Sequence, residues 1–99
     1  MTIPDSVQLM GKPISVIQNN KGVRKRNNYG EANFNNLTIK IADTIHKKPI
    51  LQSQAEHTFF HELVHQCLWV MQEHKLNDNE KFVDMLGGLL HQALAPHMK

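Results

Sequence analysis

Between Pro49 and Ser53 the spacing of apolar residues changes period. Upstream the period is two. In Ile14-Ser15-Val16-Ile17-Gln18 and in Leu37-Thr38-Ile39-Lys40-Ile41-Ala42, apolar and polar positions alternate, as in a strand with one buried face. Downstream the period is that of a helix. Phe60, Leu63, Val64, Cys67, Leu68 and Met71 form one stripe, and Phe82, Val83, Leu86, Leu89, Leu90 and Ala93 form another. A chain that makes this change once keeps its strands and helices apart. The expected class is therefore α+β, with two helices laid on a small sheet.

The strand half predicts three strands. Val7-Gln8-Leu9-Met10 and Ile14 to Gln18 flank Gly11-Lys12-Pro13, which reads as a hairpin turn. Residues 19–36 are rich in asparagine and read as a long polar connection to the strand at 37–41. Lys47-Lys48-Pro49 closes this half. In the helical half, Ser53 and Glu56 have the spacing of a capping box. Asn77 or Asp78 is placed to cap the second helix, and Pro96 to end it. Ninety-nine residues give one domain, 1–99, with a β-β-β-α-α order.

Composition narrows the classes further. The single cysteine, Cys67, excludes a disulfide scaffold and reads as an inert residue of the apolar face. No run approaches the ~20 apolar residues of a membrane span. Residues 1–10 lack the basic start of a signal peptide, which reads as a cytoplasmic protein. Aromatics make up only 6%, so the core is expected to rest on Leu, Ile, Val and Met, with Trp69 and Phe82 inside. A core this small has a thin stability margin, which a bound metal commonly remedies.

Seven histidines are many for such a chain, and two of them form a pattern. His61-Glu62-Leu63-Val64-His65 is an HExxH motif on the first helix. Residues i and i+4 share a face, so both imidazoles can reach one zinc ion. Glu62 lies about 100° round the helix. It does not ligate, but it is placed to take a proton from a metal-activated water. A third ligand is needed. Glu80 and Asp84 are again i and i+4 and share a face of the second helix. One carboxylate can complete the site, and the other can hold a ligating imidazole through its free N–H.

HExxH at His61 to His65, followed by Asn79-Glu80-Lys81-Phe82-Val83-Asp84, resembles the gluzincin zinc metallopeptidases. Their pattern is HExxH on one helix and NExxxD on the next. The whole chain more closely resembles the short phage- and prophage-encoded metallopeptidase-like proteins related to minigluzincins. The likeness covers roughly residues 5–95. Its further marks are the Gly30-Glu31 turn before the isoleucine-rich strand, the run from Phe60 to His65, and the Asn-Glu-x-Phe-Val start of the last helix. The resemblance implies His61, His65 and Glu80 as zinc ligands, Glu62 as general base, and Asp84 as the partner that holds His61. It also implies a peptide or protein substrate paired to the strand at 37–41. The choice between the two acids depends on where the first helix stops. If it ends near Met71, Glu80 reaches the histidines. If it runs to Lys75, Asp84 is better placed.

Other residues enter at lower rank. His57 precedes His61 by one turn and reads as a rim residue that can touch substrate. His91 shares a stripe with Glu80 and Asp84 and is the candidate oxyanion donor. Lys21, Arg24, Lys25 and Arg26 cluster beside Tyr29, but four charges without a basic helix read as a solvated loop rather than a nucleic-acid site. Two functions remain. One is a zinc-dependent peptidase. The other is a zinc-stapled interaction or nucleic-acid-binding module of a mobile element, in which catalysis is vestigial.

Overall fold

A computed structural model describes residues 1–19, 22–23 and 28–99. The basic cluster at 21 and 24–26 lies outside the described residues. The fold is α+β, a four-stranded mixed sheet and a small hairpin followed by packed helices. Strands β1 (Ser6–Leu9) and β2 (Lys12–Ile17) form an antiparallel hairpin. It turns on Met10 and Gly11, whose φ angles are 52° and 79°. Strands β3 (Gly30–Asn33) and β4 (Thr38–Ile41) complete the sheet in the order β1-β2-β4-β3. β4 is parallel to β2 and antiparallel to β3. β5 (Thr44–Ile45) and β6 (Lys48–Pro49) pair separately, turning on His46 and Lys47.

The fourth strand is β3, inside the segment that reads as a polar connection. Glycine, alanine and asparagine are poor strand formers, so nothing local announces it. Its conformation comes from β4, which pairs with all four of its residues, and from the helix packed over it. Gly30 and Glu31, expected as a turn, begin this strand. A Cβ at position 30 would overlap Thr58 Cγ2 and stand 3.2 Å from Glu62 Cγ. Glycine is what lets the first helix lie so close.

The strand at 37–41 is not an edge. Thr38, Ile39 and Lys40 pair with Ser15, Val16 and Ile17 on one side, and β3 covers the other. Leu37 stands just before it, at a φ of 53°. An incoming peptide therefore has no free edge there. Among the described residues, the open edge near the helices belongs to β3.

Helix α1 (Gln52–Val70) starts one residue before Ser53, with Leu51 as a cap that makes no side-chain bond. The Ser53 capping box does not form. Glu56 is buried and bonded to His91 instead. A short helix α2 (His74–Asn77) occupies the polar break. Helix α3 (Glu80–Leu94) is capped by Asn79, whose Oδ1 accepts from the Phe82 amide at 3.1 Å. The cap is thus Asn79 rather than Asn77 or Asp78. A 3-10 turn, Ala95–His97, carries Pro96 and ends the helix as expected.

α1 lies between the sheet and α3. Phe59 and Phe60 join Ile3, Ile14, Val16, Ile39 and Ile41 in the main core. Val64 and Leu68 pack with Val83 of α3. Burial of each such side chain contributes about 1.5–3 kcal/mol. The core therefore rests on Ile, Val, Leu and Phe. Trp69 and the methionines Met10, Met71 and Met85 are exposed. Trp69 is outside the core because it lies in the last turn of α1, stacked on Phe34 of the β3–β4 turn at the end of the sheet. No helix among the described residues is long and apolar enough to cross a membrane.

Candidate metal centre

His61 and His65 occupy successive turns of α1, with ring centroids 5.1 Å apart. Glu80, the first residue of α3, faces both. Its Oε2 is 3.3 Å from His61 Nε2, and its Oε1 is 3.3 Å from His65 Nε2. One ligand atom from each of the three residues lies within 4.8 Å of the others. Among the described residues the group that could hold an ion contains Glu80 and not Asp84. α1 stops at Val70, so the chain turns back early enough for Glu80 to stand over the histidines.

The helix stop has its own signature. The Glu73 amide donates to Leu68 O at 2.9 Å, and the Gln72 amide to Trp69 O at 3.0 Å. Gln72 has a φ of 60°. This is a Schellman end, with glutamine where glycine is usual.

The second nitrogen of each imidazole is also engaged. His65 Nδ1–H donates to Asn77 Oδ1 at 2.5 Å, and His61 Nδ1–H donates to Asp84 Oδ1 at 3.3 Å. An acceptor at Nδ1 lets each ring offer Nε2, the nitrogen turned to Glu80, to an ion. Two imidazole Nε2 atoms plus a carboxylate are the donor set that a borderline-soft divalent ion such as zinc takes. The residues therefore fit a metal ion. Asn77 is the member that sequence reasoning missed. It follows His65 by twelve residues across a helix end, a spacing without a pattern.

Glu62 is buried beside this trio but is not part of it. Burial pushes its carboxyl up to about 8, and the nearby charges of Glu80 and Glu31 add to the shift. A divalent cation among the ligands would act in the opposite direction. Two clefts meet at Glu62. One, of about 370 Å³, lies between Tyr29, Gly30 and the side chains of His57, His61 and Asp84. The other, of about 320 Å³, is lined by Ala32, Phe34, His65, Asn77 and Glu80. Both are walled by β3 on one side and by helices on the other.

His57 lines the first cleft, with its Nε2 3.6 Å from Asp84 Oδ1. That nitrogen is buried without a hydrogen bond. His91 lines neither cleft. Its Nε2 is held by Glu56 Oε1 at 2.9 Å, and its ring lies against His57, centroids 6.1 Å apart. The geometry thus puts it beside His57 and bonded to Glu56. Cys67 is half-buried, and burial raises its thiol, which fits an inert residue.

No protein-family model, curated protein or solved structure matches the chain.

Proposed function

We propose that the chain is a zinc-dependent peptidase, with His61, His65 and Glu80 as ligands and Glu62 as general base. The observation that carries this reading is the position of Glu62. It is a buried carboxyl group at the junction of two clefts, beside a three-residue candidate ligand set that it does not complete. A purely structural zinc site is closed by four protein ligands and has no use for a fifth, unligated acid. Among the described residues the group has three. The gluzincin resemblance points the same way.

Each residue then has a task. His61 and His65, kept in one tautomer by Asp84 and Asn77, present Nε2 to the ion. When bound, zinc supplies Lewis acidity and makes a coordinated water acidic near pH 7. Glu62 takes the proton of the attacking water and returns it to the leaving amine. The substrate backbone pairs with the open edge of β3, whose Gly30 and Ala32 line the two clefts. Backbone pairing holds an extended peptide whatever its side chains.

The test is metal analysis followed by cleavage of a peptide library with and without chelator. Wild type is expected to hold one zinc and to cleave in a chelator-sensitive way. Glu62→Gln is expected to keep the zinc and to lose a factor of about 10²–10⁴ in rate. Equal cleavage by the two proteins overturns the assignment of Glu62. Stoichiometric zinc without any cleavage favours the zinc-stapled binding module.

A further inference from the structure

A third groove, of about 410 Å³, adjoins the metal clefts and takes no part in the reading above. Its floor is an aromatic pair. Phe34, in the β3–β4 turn, stacks on Trp69 with centroids 4.6 Å apart and planes within 5°. Phe34 lines both this groove and the cleft that holds His65 and Glu80. Trp69 follows His65 by four residues on α1, so it stands about 6 Å further along the same stripe. The apolar surface is therefore continuous with the metal site and lies beyond the far end of β3.

Two features set this surface apart. The first is exposure. Trp69 is 41% exposed and Met10 86% exposed, although both are large and apolar. The second is backbone conformation. Met10, Leu37 and Gln72 all line the groove, and all have positive φ, 52°, 53° and 60°. Asparagine or glycine adopts such angles at little cost, and these residues do not. Of the six described residues other than glycine with positive φ, three line this groove, and such backbone can mark a site that holds a ligand. Here three separate turns place a side chain other than glycine or asparagine on one groove.

We propose that the Phe34–Trp69 face is a subsite for a large apolar side chain of the bound peptide. The proposal rests on the peptidase reading and extends it to a substrate class. A peptide antiparallel to β3 runs from the Asn33 end towards Gly30. Its residues near Trp69 then precede the bond held at the metal. Along α1, Trp69 stands about 6 Å from His65 and about 12 Å from His61, which is two to four extended residues at about 3.3 Å each. The preferred substrate carries Leu, Phe or Met two to four positions before the scissile bond, and alanine there is poor.

Trp69 is the only tryptophan, so its fluorescence reports this face alone. The probes are blocked alanine hexapeptides with one leucine at each position in turn, added to zinc-loaded Glu62→Gln protein. One leucine position is expected to bind on the order of tenfold tighter than all-alanine and to change the Trp69 emission. Phe34→Ala should abolish the preference. Met10→Asn keeps the falsifying power if that variant misfolds. Asparagine suits the turn, so the fold is kept or strengthened while the leucine preference falls.

Equal affinity for leucine and alanine peptides overturns the subsite. Chelator-sensitive cleavage without preference at these positions and without a Trp69 response also overturns it, and leaves the peptidase reading standing. Leucine-selective binding without chelator-sensitive cleavage keeps the subsite and overturns the peptidase reading. An emission change on raising protein concentration alone, with dimers in sedimentation, assigns the face to a second copy of the chain and overturns the proposal.

Discussion

Gly87 of α3 packs directly on the backbone of His61: a Cβ built there would stand 3.0 Å from both His61 N and Cα. This contact sets how close α3 comes to α1, and so where Glu80 meets the imidazoles. Gly87→Ala should lower metal affinity by a factor on the order of ten, because the ligand set opens by tenths of an ångström. Gly88→Ala is the control. Its Cβ would meet only His57 Nε2, at 3.4 Å. It should leave metal affinity unchanged and stabilise the helix by about 0.8–1.0 kcal/mol. Competition with a chromophoric chelator and thermal melting separate the two.

The bonds behind the imidazoles should matter less than the ligands but measurably. Glu80→Ala should cost more zinc affinity than Asp84→Ala or Asn77→Ala. The last two should each lose about 10–100-fold. Calorimetric titration of metal into the four proteins checks the order. An Asp84 variant weaker than the Glu80 variant would exchange their roles.

Gln66 is fully buried, and its Nε2 donates to Asn33 O at 3.2 Å and Thr38 O at 3.0 Å. It ties the β3–β4 turn to the helix that carries the ligands. Gln66→Leu should cost towards the lower end of about 1–3 kcal/mol, since two carbonyls lose a donor while an unpaired Oε1 is removed with it. Amide exchange should quicken in β3 more than in β2.

Glu56 supplies a pH dependence. The hydrogen bond from His91 is the main reason its carboxyl titrates below 4.5. A carboxyl lowered on folding contributes stability above its unfolded pKa and loses it as pH falls through the folded one. Wild type should therefore weaken on acidification below 4.5, and Glu56→Gln should show a shallower acid limb. Urea midpoints at about pH 6 and about pH 3.5 measure the difference.

The candidate site was legible in the sequence because each pair, His61 with His65 and Glu80 with Asp84, sits on one helix, where spacing alone gives direction. The helix stop between them was not. Its Schellman turn uses Gln72 in place of glycine, so the usual mark of a helix end is missing. β3 was hidden for a related reason. Its residues have low strand propensity, and the partner strand and the close helix impose the conformation. Hydrophobicity alone puts Trp69 in the core, whereas its spacing from His65 puts it beside the stripe of His61 and His65. His57 and His91 shared stripes with site residues, but a stripe does not say which neighbour claims a side chain, and Glu56 claimed His91.

The open edge of β3 bears on how the protein behaves at high concentration. An unpaired strand edge ordinarily invites a second copy to add its own, and from there the sheet can grow between molecules. This edge is four residues long, opens with glycine, carries the Glu31 carboxylate and ends in asparagine. Such a strand is too short, too polar and too weak in β-propensity to nucleate a fibre. Among the described residues this edge is therefore a weaker template for sheet growth than an edge of valine and isoleucine would be.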